Sequence, residues 1–351
     1  MCEYQGSSRR LIFGIQHPAD VHFFRNAIRV LSWRGWEPYV FVRAKDIAAD
    51  LLTVYNIPHT VLAHRQGSIS NLATAQLKYE YRMLRAGRQI RPAVMVAQVG
   101  VAVSHVAPLV GARSLVFLDT EHAFLQNQLV IPFADKICTS TAYEGDIGRK
   151  QVRYPYYHEL AYLHPDWFEP DQSVLDLLDL EENDPIAVIR LVAWDAAHDV
   201  GQQGIDDPYG LVEGLNSLGF QVVISAEGPL PPALESYRAT IPIDWMHDLL
   251  SCADLYVGES STMASESSIL GTPAIFVGSL DLGYINELEQ TYGLAYNLSN
   301  KGGTAQALAL AEEIATEIDS DEWANRRQRL LTEKVDPTKV IVGEVERMAT
   351  V

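Results

Sequence analysis

Cysteine is nearly absent from this chain. Three residues in 351, Cys2, Cys138 and Cys252, stand far apart, and two of them lie in apolar contexts. That spacing offers neither a disulfide framework nor a zinc cluster, and it points to a reducing, cytoplasmic setting. Lysine is scarce too: seven lysines stand beside 20 arginines, and 45 acidic residues against 27 basic ones leave a net charge of −18. So acidic a surface argues against nucleic acid as a partner. It suits a protein working in high salt, where self-repulsion is screened, with an ordinary acidic cytosolic enzyme as the alternative. No apolar run approaches the roughly 18–20 residues that cross a bilayer, and residues 1–10 lack a signal-peptide core. Three signatures are also missing. There is no Walker A sequence, no Gly-x-Gly-x-x-Gly after the first strand and no Gly-x-Ser-x-Gly turn, which weakens the readings as an ATPase or kinase, a dinucleotide-dependent dehydrogenase and a serine hydrolase.

What the chain does have is concentrated between Gly258 and Pro273. Ala253–Val257 and Pro273–Val277 read as strands, and Gly258-Glu259-Ser260-Ser261-Thr262 opens a helix that Gly271-Thr272-Pro273 stops, giving a βαβ unit. With Ser261 as N-cap, Thr262 and Glu266 fall four apart on one face. Hydroxyls and unpaired N–H groups at a helix start favour an anion, and a carboxylate one turn on can accept two vicinal hydroxyls. A nucleotide needs that pairing. A capped helix with a solvated Glu is the simpler reading.

Strands and helices alternate on both sides of an interruption. Leu11–Ile15, Pro38–Val42, His59–Leu62, Pro92–Ala97, Ser114–Leu118 and Lys136–Thr139 read as strands, with helices over His22–Trp33, Asp46–Tyr55 and Ser70–Ile90. Pro185–Leu191 and Gln221–Ser225 resume the pattern, with helices over Pro208–Leu218, Asp244–Cys252, Asn286–Thr291, Thr304–Ile318 and Glu322–Glu333. The expected class is α/β, two Rossmann-like domains with parallel sheets. The boundaries read as 8–150, a linker over 151–183 rich in Tyr, His and Pro, 184–333, and a C-terminal segment over 334–351. The linker reads equally as a hinge lining a cleft and as a connector that packs on the domains.

Ligands of such sheets bind beyond the carboxyl ends of the strands. The loops there hold Gln16–His22 with Asp20 and His22, Asp119-Thr120-Glu121-His122, Arg190–Asp199, and Ser225-Ala226-Glu227. Ionisable residues thus collect at one edge of both sheets, which would face each other across a cleft. Each loop has a plainer explanation, since Asp20 suits an N-cap and His198-Asp199 a surface turn. The histidines lack the i, i+4 spacing and the Cys partners of a zinc site, so no metal is expected.

The two halves, the linker and the Glu266 position resemble the GT-B glycosyltransferase architecture. Ile243–Asp254 followed by the 258–273 segment is similar to the donor-binding region of MurG-type transferases and UDP-N-acetylglucosamine 2-epimerases. Val21–Phe24, Asp119–His122, Glu159–Pro165, Ala197–Gly201 and Glu227–Pro231 resemble a prokaryotic family common in archaea, domain-of-unknown-function family 354. The resemblance implies that Glu266 accepts ribose hydroxyls and that Ser260, Ser261 and Thr262 hold the diphosphate with Arg190. It also implies that backbone near Ile243 meets the base. Glu259 departs from the usual Gly-Gly-Ser-Gly turn and brings negative charge toward that diphosphate.

The function expected is transfer of a sugar from a nucleotide-diphosphate donor to a glycan or lipid-linked acceptor, without a metal or other cofactor and with His22 or Asp20 as base. The alternative is a 2-epimerase using Glu121, His122, Asp195 and Glu227 around the sugar ring. A sugar-nucleotide-binding protein without catalysis is a third reading. Arg82, Arg85, Arg88 and Arg91 read either as a solvated helix side or as a peripheral contact with anionic lipid at the inner face of a membrane.

Overall fold

The computed structural model describes residues 9–44, 47–64, 72–119, 124–181, 184–192, 204–226, 228–298, 303–317 and 320–350. The chain forms two units, Met1–Tyr162 with Lys334–Val351 and Leu163–Glu333.

Unit 1 alternates β1 (Arg10–Ile15), α1 (Pro18–Trp33), β2 (Glu37–Ala44), α2 (Ala48–Val54), β3 (His59–His64), α3 (Leu72–Ile90), β4 (Val94–Gln98), α4 (Val101–Val110), β5 (Arg113–Leu118), α5 (Phe124–Val130), β6 (Lys136–Ser140) and β7 (Gln151–Tyr154), then the short α6 (Leu160–Leu163). All seven strands are parallel, in the order β3-β2-β1-β4-β5-β6-β7. The inner strands are unbroken apolar runs because helices cover both faces, so both side-chain sets of each strand are buried. Chain direction across the sheet reverses between β1 and β4.

In unit 2, β8 (Ile186–Leu191), α7 (Pro208–Ser217), β9 (Gln221–Ala226), α8 (Met246–Cys252), β10 (Leu255–Gly258), α9 (Ser261–Leu270), β11 (Ala274–Phe276), α10 (Gly283–Glu287), β12 (Ala295–Asn297), α11 (Thr304–Glu317) and α12 (Ser320–Glu333) follow in turn. The sheet is again wholly parallel, ordered β12-β11-β10-β8-β9, with its reversal between β8 and β10. Its core joins Ala187, Ile189, Leu211, Leu215, Ile224 and Val257 across the sheet and α7.

Two boundaries differ from the sequence expectation. The first domain does not close at 150, because Gln151–Tyr154 adds a seventh strand beside β6. The Tyr- and His-rich segment after it packs into unit 1, where Tyr156, Leu160 and Ala161 are fully buried. Nor is 334–351 an appendage. It forms α13 (Pro337–Thr350), which returns to unit 1 and lies on α1. Val335 N donates to Pro155 O, and Thr338 Oγ1 and Asn26 Nδ2 both donate to Ala161 O.

Glu344 fixes α13 over β6 and β7. Its carboxylate is buried, takes Lys136 Nζ at 2.6 Å and Arg347 Nη2 at 2.7 Å, and accepts the Tyr154 hydroxyl. Burial alone would raise its pKa, but the bonds from Lys136 and Tyr154 and the charge of Arg347 outweigh it, and the carboxyl stays below its ordinary value. A depressed folded pKa gives stability that is present above the unfolded pKa and lost as pH falls through the folded one. Glu344→Gln should therefore lower Tm at neutral pH by an amount equivalent to about 2 kcal/mol, with a smaller deficit near pH 4. Thermal melts at both pH values test this, and an equal deficit would contradict it.

Candidate functional site

Each unit collects polar groups at its own reversal point. In unit 2 that point is the carboxyl ends of β8 and β10, where Arg190 and Gly258 are in register. Gly258 is required by this approach: a Cβ there would stand 2.7 Å from Arg190 Cβ and 2.5 Å from the Tyr256 hydroxyl. Arg190 Nη1 donates to Ser225 Oγ, at the end of β9, at 2.8 Å. Tyr256 is fully buried, which pushes its phenol well above the ordinary value, and it donates to Ser260 O at 3.0 Å.

The helix begins one residue earlier than expected, since Ser260 is the N-cap and its Oγ accepts Met263 N at 3.3 Å. Ser260 O accepts Ala264 N. By helix geometry the N–H groups of Ser261 and Thr262 precede the hydrogen-bond ladder. Ser261 and Thr262 are half-buried at this end. From Met263 to Ile269 α9 is buried, with Ala264, Ser265, Ser267 and Ser268 completely so. Gly271, at φ 103°, closes the helix, and the Thr272 hydroxyl reaches the last carbonyls of α8, Leu250 O at 2.6 Å and Ala253 O at 3.1 Å.

Two carboxylates flank this helix start, and both are engaged. Glu259 accepts Val192 N at 2.8 Å and Ile205 N at 3.0 Å. Its carboxylate is thereby held by the backbone on either side of residues 193–203, which lie outside the described residues. Two N–H donors hold the Glu259 carboxylate, which the sequence set near a diphosphate, in the loop. Glu266 is 6% exposed and meets His247 Nε2 of α8 at 3.0 Å. His247 packs edge-on to Phe168. Ile243 sits 38% exposed in the segment between Arg238, which bridges to Ile224 of β9, and α8.

In unit 1 the reversal point gathers Asp20, Gln98, Asp119 and His158. Asp20 is a first-turn residue of α1 whose Oδ2 accepts Gln16 N at 2.7 Å and His17 N at 3.1 Å. It is 5% exposed, and burial is the main reason that its pKa is pushed up to about 7. The charge of Asp119 adds to the rise, while the two backbone bonds and His158 oppose it. Gln98 Nε2 donates to Asp119 Oδ2 at 2.7 Å, and His158 Nδ1 lies 3.6 Å from the same oxygen. Gln98 Oε1 is buried with no hydrogen-bond partner among the described residues. Behind Gln98 the chain turns sharply: Val99 has φ 56° and Gly100 N donates to Gln98 O at 2.6 Å. A β-branched residue in that region is a genuine backbone outlier, of a kind that clusters at functional sites.

The structure thus brings Arg190, Ser260, Ser261, Thr262 and Glu266 to one end of the unit 2 sheet and sets Asp20 at the matching end of unit 1. It places His22 elsewhere on α1, packed between the rings of Tyr55 and Tyr162, with Arg25 over the Tyr55 ring. Glu121, His122, Glu227 and Asp195 lie outside the described residues. Gln98, His158 and His247 escaped the sequence reading. The one signal for Gln98 was a polar residue ending an apolar strand, Val94-Met95-Val96-Ala97-Gln98. Among the described residues no three His, Cys, Asp or Glu groups lie close enough to hold a metal ion.

A family profile described as "Protein of unknown function (DUF354)" matches residues 11–348, and the chain belongs to that family. A curated relative is Uncharacterized protein MJ0665 of Methanocaldococcus jannaschii, 23% identical over 269 residues, which are 73% of this chain and 77% of the relative. Among solved structures, the UDP-GlcNAc 2-epimerase from Neisseria meningitidis bound to UDP-GlcNAc aligns with a TM-score of 0.66 at 10% identity, over 96% of this chain and 99% of the other. The glycotransferase of kitacinnamycin aligns at 0.64 and 11% identity, over 97% and 99%. These likenesses establish the GT-B fold.

The raised pKa of Asp20 carries a measurable cost. Its folded value of about 7 lies above the ordinary 3.8, so the folded state holds the proton more tightly. Stability therefore falls as pH rises from about 4 to about 7. Asp20→Asn, which keeps an acceptor for Gln16 and His17, should raise Tm relative to the parent at pH 8 and less at pH 5. Equal Tm differences at the two pH values would contradict the assignment.

Proposed function

We propose that this DUF354 member is a GT-B enzyme acting on a nucleotide-diphosphate sugar, and that it transfers the sugar to a glycan or lipid-linked acceptor. One observation carries the reading: a guanidinium, a helix start with two forward N–H groups and a buried carboxylate stand together at the reversal point of a nucleotide-binding type of sheet. In it, Ser260, Ser261 and Thr262 hold the diphosphate with Arg190, and Glu266, oriented by His247, accepts the ribose hydroxyls. The segment around Ile243 faces the base. The similarity in fold to an epimerase bound to UDP-GlcNAc and to a glycotransferase supports the substrate class.

The chemical step needs a base for the acceptor hydroxyl and a sink for the leaving diphosphate. Asp20 suits the first task, since a carboxyl with pKa about 7 exchanges a proton near neutrality. As the acceptor oxygen bonds to the anomeric carbon, its proton passes to Asp20 and the sugar–diphosphate bond breaks. The charge that develops on the diphosphate is met by Arg190 and the α9 start, the part a divalent cation plays in other enzymes. No metal or other cofactor is required in this scheme.

A 2-epimerase is the second reading, favoured by the carboxylate, amide and imidazole grouping of Asp20, Asp119, Gln98 and His158, which suits proton removal and return on a sugar ring. Incubation with UDP-N-acetylglucosamine alone separates the two: isomer formed without acceptor supports the epimerase, turnover only with acceptor the transferase. Thermal stabilisation by the nucleotide without turnover in either assay would favour a binding protein. Glu266→Ala should weaken binding of the nucleoside diphosphate by about tenfold or more, the loss expected for a charged hydrogen-bond acceptor. Unchanged binding by calorimetry would sink the donor-site assignment.

A further inference from the structure

One face of unit 1 contrasts with the rest of this acidic chain. α1, α2 and α13 pack together on one side of the sheet, while α3, α4 and α5 pack together on the other. The latter three hold a single acidic residue, Glu80, against Lys78, Arg82, Arg85 and Arg88. Arg91, exposed, follows directly after α3. Glu80 does not stand as a bare charge, because it accepts Gln76 Nε2 at 2.8 Å and meets His105 Nδ1 at 3.2 Å. The other nitrogen of His105 lies 3.0 Å from Leu129 O, and its ring packs edge-on against Phe133 at 4.8 Å, so this residue joins the three helices into one surface.

Large apolar side chains stand out on the same surface. Leu77 and Tyr81 on α3 are each 66% exposed, Leu109 on α4 62%, Leu125 on α5 71% and Phe133 just beyond it 53%. Around α3, Leu77, Tyr81, Arg85 and Arg88 fall within about 80° of one another, while Tyr79 and Met83 point into the core. Between the ends of α3 and α4 an open groove of about 440 Å³ is lined by Arg88, Arg91 and Leu109.

Cations interleaved with exposed leucines and aromatics, on a face poor in carboxylates, match an anionic bilayer. Headgroup phosphates attract the arginines, and Leu and Tyr enter the boundary between headgroups and acyl chains. A second copy seated on this face across a two-fold would set cations against cations. An acidic protein would match the charges and leave the apolar anchors without a counterpart. No helix among the described residues is long and apolar enough to cross a membrane, so the contact is peripheral. We propose that the α3–α4–α5 face of unit 1 docks on an anionic lipid surface, with Lys78, Arg85 and Arg88 as its charge contacts and Leu77, Tyr81 and Leu109 as its apolar anchors.

The two components respond differently to salt. The Debye length falls from about 10 Å at 0.1 M to about 3 Å at 1 M, so the charge contribution fades and the apolar one remains. The test is co-flotation of the full chain with phosphatidylcholine vesicles, with and without about 30 mol % phosphatidylglycerol, at low and high salt. Binding should favour the anionic vesicles at least tenfold at low salt, on the order of what two or three surface cations confer. A Lys78→Glu/Arg85→Glu/Arg88→Glu variant should lose most of that preference. A Leu77→Ser/Tyr81→Ser/Leu109→Ser variant should lose the binding that persists at high salt. All six positions are on the surface, so Tm should hold, and Trp33→Ser, 79% exposed on α1, serves as the control that leaves binding unchanged. Absence of binding, equal binding to neutral vesicles, or indifference to the charge reversals would overturn the proposal. So would a dimer that these reversals dissociate, which would assign the face to a second copy. Vesicle binding needs no sugar nucleotide, so its outcome is separable from that of the transferase assay.

Discussion

A wholly parallel sheet must reverse its winding somewhere if helices are to cover both faces, and at that reversal two neighbouring strands send their chains to opposite sides. The carboxyl ends there cannot be roofed by a crossover. This constraint places the polar chemistry of both units. The end between β8 and β10 carries Arg190, the α9 start and Glu266. The end between β1 and β4 carries Asp20, Gln98, Asp119 and His158. The remainder of each unit is apolar layering that holds these strand ends in register.

Burial without solvent then decides how each polar group behaves. Some are fully engaged and act as struts: Glu259 on two loop amides, Thr272 on the end of α8, Glu344 beneath α13. Others are under-compensated. Asp20 has two backbone donors but not enough to offset its burial and a neighbouring carboxylate, and Gln98 carries a buried carbonyl oxygen with no partner among the described residues. The strained Val99 turn adjoins this second group. Stability is given up there, the pattern expected where chemistry rather than folding set the residues.

The sequence made the architecture legible because parallel strands covered on both faces are continuous apolar runs, and Leu11–Ile15, Ser114–Leu118 and Leu255–Val257 are of that kind. β7 and β12 were not legible. Gln-Val-Arg-Tyr is an edge strand with a half-polar pattern, and Ala-Tyr-Asn is three residues long, so pairing rather than composition makes them strands. The polar cluster at the α9 start could be read from one contiguous segment, where spacing along a helix stands for distance. His247 could not, since it lies 19 positions from Glu266 and meets it only through the packing of α8 on α9. His22 shows the converse. Two positions from Asp20 in the chain, it lies on another side of α1, between aromatic rings, because a helix turns by about 200° over two residues. The carboxylate of Glu259, set by sequence against the anion, is held by amides that only the fold brings near.

The central claim is that the β8–β10 reversal point binds a nucleoside diphosphate with its phosphates on the α9 start and its ribose on Glu266. A crystal structure of the full chain with uridine or thymidine diphosphate tests it most directly. The account predicts diphosphate oxygens within hydrogen-bond reach of the Ser261 and Thr262 N–H groups and of Arg190, with ribose hydroxyls on the Glu266 carboxylate. A nucleotide bound elsewhere, or one that leaves the Glu266–His247 pair untouched and reaches none of these donors, would contradict it.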